Sequence, residues 1–136
     1  MALVEFRDVS KIYHMGEVDV CAARGMTFDI EEGEFVVIVG PSGAGKTTLL
    51  NMLGGMDGVT SGTISLGGRQ ISDFSERELT MYRRYDIGFV FQFYNLVANL
   101  TALENVELAS QICKNPLNAQ EMLRRVGLAQ RMDNFP

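Results

Sequence analysis

Five consecutive apolar residues, Phe35 to Val39, stand between a polar turn (Glu31-Glu32-Gly33-Glu34) and a glycine-rich segment that starts at Gly40. A short unbroken apolar run rich in β-branched residues predicts a strand buried on both faces. Ile87 to Phe91 predicts a second one, followed at once by Gln92. Elsewhere the pattern alternates. Between Leu3 and Val9, Val4 and Phe6 share one face while Glu5 and Arg7 share the other. Met26, Phe28 and Ile30 alternate with Thr27 and Asp29. Both stretches predict half-buried strands. Val18 to Ala23 can pair as a strand, reached through a polar loop or hairpin connection from His14 to Asp19 that contains Gly16. Gly62 to Leu66 predicts a short strand ended by a tight turn at Gly67-Gly68, from which Arg69 to Ile71 returns. The early part of the chain therefore holds more antiparallel β-structure than a minimal α/β fold needs.

Helical signals follow. Thr48 to Leu53 contains no breaker, and Gly54-Gly55-Met56-Asp57-Gly58 supplies a stop. Ser75 with Glu78 forms a capping-box pattern before a helix to about Arg84. Thr101 with Glu104 forms another, ahead of Leu103, Val106, Ala109 and Ile112 (with Cys113) at helical spacing. Asn118 with Glu121 opens a third capped helix through Val126, closed by Gly127.

The segment between the first apolar run and the first helix carries the clearest chemistry. Gly40-Pro41-Ser42-Gly43-Ala44-Gly45-Lys46-Thr47 fits G-x-x-x-x-G-K-S/T at every fixed position. A triphosphate packs several negative charges into a small volume, and a loop wraps it only if its backbone N–H groups turn inward. Glycines at 40, 43 and 45 permit those dihedrals and place no Cβ in the way. A helix beginning near Lys46 aims its free N–H groups and positive dipole end at the phosphates. Lys46 is expected to reach the β- and γ-phosphates. The Thr47 hydroxyl is expected to ligate Mg²⁺, and Thr48 to touch the α-phosphate side. The pattern points to nucleoside triphosphate binding without saying which triphosphate.

Composition narrows the picture a little. The chain has 136 residues, 46% of them apolar, enough for one domain with a core. Its net charge of −5, from 12 basic and 17 acidic residues, argues against a broad nucleic-acid-binding face. The basic pairs Arg83-Arg84 and Arg124-Arg125 fall in helical segments and are expected on solvated faces. Cys21 and Cys113 lie far apart without metal-ligand spacing, and are expected to be reduced and semi-buried, as in a cytosolic protein. The single His14 is expected in a surface loop. No apolar run approaches a membrane span, and Glu5, Arg7 and Asp8 interrupt any signal-like start. A soluble, cytoplasmic chain is expected.

With these pieces placed, the sequence resembles the nucleotide-binding subunit of an ATP-binding cassette transporter. The phosphate loop Gly40 to Thr48 carries the resemblance first. Tyr13 matches the family's adenine-stacking aromatic. Thr60-Ser61-Gly62-Thr63-Ile64 matches its T-S-G-x-I/V strand, and Gly88-Phe89-Val90-Phe91-Gln92 matches its Q-loop strand and glutamine. Tyr94-Asn95-Leu96 and Leu100 to Val106 look most like the lipoprotein-release and macrolide-export branch. The resemblance implies an α/β fold: a P-loop NTPase core with an N-terminal antiparallel β subdomain over about 1–92 and the start of a helical subdomain over about 93–136. It implies ATP and Mg²⁺ as ligands. The nucleotide would be held by Tyr13, Gly40, Ser42, Gly43, Ala44, Gly45, Lys46, Thr47 and Thr48, with Lys46 and Gln92 catalytic and Thr47 and Gln92 on the metal. It also implies a transmembrane permease subunit docking near Gln92 and the helix from Thr101, and a second nucleotide-binding subunit. Nucleic acid is not an expected partner. Such a subunit sits peripherally at the inner face of the membrane.

The family pattern continues with an L-S-G-G-Q-type signature, an apolar strand ending in Asp-Glu and a switch histidine, and none of these occurs in the 136 residues. Without the acidic pair, Mg²⁺ lacks an outer anchor and nothing polarises an attacking water. The chain alone is therefore expected to bind nucleotide weakly and turn it over poorly or not at all. Strands that would flank Phe35 to Val39 are missing as well, which predicts exposed edges there. A non-catalytic nucleotide-binding or self-associating module is the alternative reading. A GTPase lacks support because no N-K-x-D motif is present. A small-molecule kinase would need its own acceptor site and lid arginines; Arg124-Arg125 could imitate these, but the contexts of Tyr13 and Gln92 argue against it.

Overall fold

Two long strands form the frame. In the computed structural model, which describes all 136 residues, β1 (Ala2–Met15) turns at Gly16-Glu17 and returns as β2 (Val18–Glu31). Gly16 takes φ +66, so the tight connection uses a residue that tolerates the left-handed region. The register sets Tyr13 opposite Val20, His14 opposite Asp19, and Phe6 opposite Phe28. The other edge of β1 takes β3 (Ser61–Leu66), which pairs in turn with the short β4 (Arg69–Gln70). The sheet is antiparallel throughout, in the order β2-β1-β3-β4.

Between β2 and β3 lies α1 (Lys46–Leu53), and after a 3₁₀ turn at Ile71–Asp73 comes α2 (Glu76–Tyr85). Leu49 and Met52 of α1 and Tyr82 of α2 meet Val4, Phe6, Val9, Ala23, Ile64 and Ile71 in one apolar core. The Phe6 and Phe28 rings stack across the β1–β2 pair with centroids 4.5 Å apart. The C-terminus of α1 ends in a Schellman turn. Gly55, at φ +68, donates its N–H to the Met52 carbonyl, and the Met56 N–H reaches back to Asn51. Tyr82 and Arg83 satisfy further carbonyls there: the Tyr82 hydroxyl donates to Leu53 O at 2.6 Å and Arg83 Nη1 to Gly55 O at 2.6 Å. Arg83 is thus half-buried and engaged rather than on a solvated face.

The chain divides into two compact units, Met1–Ile87 and Gly88–Pro136. The second holds α3 (Ala102–Ser110), α4 (Ala119–Arg125) and a 3₁₀ turn at Ala129–Arg131. Thr101 and Glu104 cap α3 reciprocally, as Ser75 and Glu78 cap α2, while the Asn118 side chain accepts the Glu121 N–H at the start of α4. Backbone carbonyls of Asn134 and Met132 accept the first amides of α3, from Ala102 and Leu103.

Several expectations are corrected. Neither Phe35–Val39 nor Ile87–Phe91 forms a strand. Phe35 is 93% exposed, Val39 83% and Val90 99%. A strand buried on both faces needs a hydrogen-bonded neighbour and a covering layer, and no strand of this sheet pairs with either run. Ile112 lies beyond the end of α3 and is exposed. His14 sits in β1 rather than in a loop, with its ring Nδ1 2.6 Å from Asp19 Oδ1. Cys21 and Cys113 are free, and both are exposed rather than semi-buried.

Candidate functional site

The segment from Gly40 to Gly45 approaches α1 as a turn in which the Ala44 N–H donates to the Pro41 carbonyl. Gly43 adopts φ +80 and Gly45 φ +93. Gly45 is also crowded: a Cβ built there would lie 2.2 Å from the Ala22 carbonyl oxygen of β2. Only glycine satisfies both conditions, which explains the second fixed glycine of the pattern in chemical terms.

Gly45 is the N-cap of α1, and it offers no side-chain acceptor to the first-turn amides. No acidic residue stands in that turn either. Helices α2, α3 and α4 differ in both respects, each having a side-chain cap and at least one acidic residue near its start. The N-terminus of α1 is therefore left with N–H donors and positive dipole character that no protein side chain neutralises. Lys46 Nζ is folded onto the same turn, donating to the carbonyls of Gly40 at 2.6 Å and Pro41 at 2.8 Å. The donor set fits a phosphate chain, and no carboxylate competes for it.

In front of this turn opens a cleft of about 630 Å³, lined by Ser42, Gly43, Gly45, Lys46, Thr47 and Thr48 on one side. Its other wall is the hairpin, through Tyr13, Val20, Cys21 and Ala22. Tyr13 is held by its hydroxyl, which donates to Asp57 Oδ2 at 2.5 Å. Lys11 Nζ donates to Asp57 Oδ1 at 2.7 Å and lies 5.0 Å from the centre of the Tyr13 ring. The hydrogen bond to Asp57, with burial second, pushes the Tyr13 phenol above its ordinary pKa, against an opposing bond from Thr48. Burial would raise the Asp57 carboxyl, but the bonds from Lys11 and Tyr13 together prevail and hold it below the usual carboxylate range.

Of the predicted site residues, the structure brings Tyr13, Ser42, Gly43, Gly45, Lys46, Thr47 and Thr48 to one cleft. Gly40 and Ala44 shape the turn behind it, where a Cβ on Gly40 would stand 3.2 Å from the Ala44 methyl. Gln92 belongs to the second unit and is exposed in a bend there. Sequence reasoning missed the Val20–Ala22 wall, although a two-residue turn at Gly16-Glu17 would have put Val20 opposite Tyr13. It also missed Lys11 and Asp57, for which no local signal exists.

Comparison with known proteins places this arrangement. The family model described as "ABC transporter" matches residues 23–136, and the chain belongs to that family. An uncharacterized ABC transporter ATP-binding protein of Thermotoga maritima is 47% identical over 139 aligned positions, covering 98% of this chain and 59% of that protein. The macrolide export ATP-binding/permease protein MacB of Bdellovibrio bacteriovorus is 40% identical over 133 positions, covering 96% of this chain and 20% of that one. Among solved structures, the ATP-binding cassette MJ0796, a dimer in a post-hydrolysis state bound to ADP and Pi, superposes with a TM-score of 0.86 at 41% identity. That match covers 97% of this chain and 60% of the cassette. The macrolide-export branch fits, as does an α/β chain carrying an antiparallel sheet and part of a phosphate-loop NTPase core. The chain spans about three fifths of the T. maritima relative.

Proposed function

We propose that this chain is the ATP-binding portion of the energy-coupling subunit of an ABC transporter. The observation that carries the proposal is the uncapped, acid-free N-terminus of α1 facing a cleft whose far wall is Tyr13. ATP would lie with its phosphates on the amides of Gly43 to Thr48 and its base against Tyr13. Lys46 exchanges its two carbonyl partners for the β- and γ-phosphates, and Thr47 offers its hydroxyl to Mg²⁺. A Mg²⁺ ion held through Thr47 would supply neutralisation of the phosphate charge. Gln92 is assigned to the metal or the attacking water and to the contact with a permease subunit, which would dock near it and α3. A second cassette would complete the nucleotide site. No apolar strand in this sequence ends in Asp-Glu, so the chain by itself binds nucleotide weakly and does not turn it over. No helix is long and apolar enough to cross a membrane; attachment to the inner face of the membrane is proposed through the permease subunit.

Equilibrium binding of a fluorescent ATP analogue with Mg²⁺, beside Lys46→Ala, tests the assignment. Saturable binding that the substitution abolishes supports it. No binding by a chain whose circular dichroism and urea transition show it folded overturns it. The exposed, unpaired run Phe35–Val39 favours a second reading, a self-associating module without turnover. Sedimentation across a concentration series separates the two: reversible oligomers whose population is indifferent to ATP support that alternative.

A further inference from the structure

Asp57 is the meeting point of three features that no motif connects. It follows the Schellman turn that ends α1, and its own N–H still reaches the Asn51 carbonyl at 3.2 Å. One carboxylate oxygen accepts from the Tyr13 hydroxyl at 2.5 Å and the other from Lys11 Nζ at 2.7 Å. Lys11 Nζ also donates to the Gly58 carbonyl at 2.7 Å. The Asp57 N-terminal neighbours are thus fixed by the helix, and its side chain by two residues of β1. Asp57 and Lys11 are each partly shielded from water, with side-chain exposures of 27% and 14%. An aromatic ring held only by one strand can swing about χ1 and χ2. Tyr13 is held at its far end as well, and the Lys11 ammonium occupies one approach to its face.

From this geometry we infer that Asp57 and Lys11 are positioning residues for the base of the bound nucleotide, holding the Tyr13 ring as a preformed stacking platform at the hairpin wall of the cleft. The inference rests on the proposed ATP assignment and extends it to two residues that touch neither base nor phosphate. An ordered platform lowers the entropy lost when a base stacks on it, so the effect belongs to the base and not to the phosphate chain.

The test uses the full chain, with two ligands: ATP, and inorganic tripolyphosphate, which has phosphates but no base. Binding of both, each with Mg²⁺, is measured by calorimetry for the wild type and for Asp57→Ala, Lys11→Met, Tyr13→Phe and the Asp57→Ala/Tyr13→Phe double variant. The expected result is a loss of about five- to tenfold in ATP affinity for Asp57→Ala and for Tyr13→Phe, with tripolyphosphate affinity unchanged. Lys11→Met moves in the same direction. The double variant is expected to lose no more than the worse single one, because both substitutions remove the same bond. Unchanged ATP affinity in Asp57→Ala overturns the positioning role alone. Equal losses for ATP and tripolyphosphate also overturn it, by showing that Asp57 merely supports the fold. A wild-type chain that binds neither ligand overturns the ATP assignment and this inference with it.

Discussion

The Tyr82 hydroxyl donates to the carbonyl oxygen of Leu53 across 2.6 Å, tying α2 to the last residue of α1. Tyr82 is among the most deeply buried side chains of the core. Tyr82→Phe keeps the ring and leaves that carbonyl without its partner. The expected cost is about 1–2 kcal/mol, read as a lower urea midpoint at unchanged slope.

The same phenol has a pH signature. Burial, and secondarily the charge of Asp86, push it up to about 12. In the unfolded chain it ionises near pH ~10. The folded-state advantage is therefore complete below that value and is lost as pH rises toward about 12. Melting temperatures should fall through this alkaline window in the wild type, and less steeply in Tyr82→Phe.

Asp57 acts in the opposite direction. Its carboxyl is held low by Lys11 and Tyr13 against the effect of burial, so the unfolded chain takes up a proton first as pH falls. Its stabilisation is present above the ordinary carboxylate value and disappears as pH drops through the depressed folded one. An acid titration of the melting temperature should show a shallower limb in Asp57→Asn than in the wild type.

Asn105 organises the segment before α3. Its side-chain amide donates to the carbonyls of Val97, Leu100 and Thr101, and its oxygen accepts the Val97 N–H. Asn105→Ala removes the acceptor and both N–H donors, which are shared among the three carbonyls. A loss of about 2 kcal/mol is expected in the second unit, because a typical bond contributes roughly 1 kcal/mol net and this site is half-buried. Hydrogen exchange should show the amides of 97–105 losing protection while those of β1 do not change.

Gly45→Ala meets both a φ of +93 and the Ala22 carbonyl at 2.2 Å. The left-handed conformation alone costs about 1–3 kcal/mol, and the overlap forces the turn away from β2. Binding of the ATP analogue is expected to fall at least as far as in Lys46→Ala, with a measurable drop in urea midpoint. Gly43 shares the left-handed conformation, at φ +80, but nothing lies within 4 Å of where a Cβ would stand, so Gly43→Ala carries the conformational cost without the overlap and should lose less.

What could be read from the sequence was what depends on near neighbours. The starts of α2, α3 and α4 are legible because Ser75, Thr101 and Asn118 find their partners three residues on. The phosphate loop is legible because its glycines answer local dihedral demands and its lysine follows directly. The apolar runs at 35–39 and 87–91 have strand-like composition, yet burial is a property of what lies alongside, and no strand of the sheet pairs with them. Asp57 was out of reach for the same reason: its bond to Tyr13 spans 44 positions, and nothing in Gly54-Gly55-Met56-Asp57-Gly58 beyond a turn announces it.

Helix α1 has eight residues, so it separates its two ends by about 12 Å. One end presents the uncapped amides and the other delivers Asp57. The helix consequently works as a ruler between the charged tail of a ligand and the support of its ring. Adding or deleting one residue within it would alter that length by only about 1.5 Å but would turn the far end through about 100°. The angular error is the serious one, since it would carry the carboxylate away from the hairpin. The separation between the two halves of the cleft is thus a phase relationship as much as a distance.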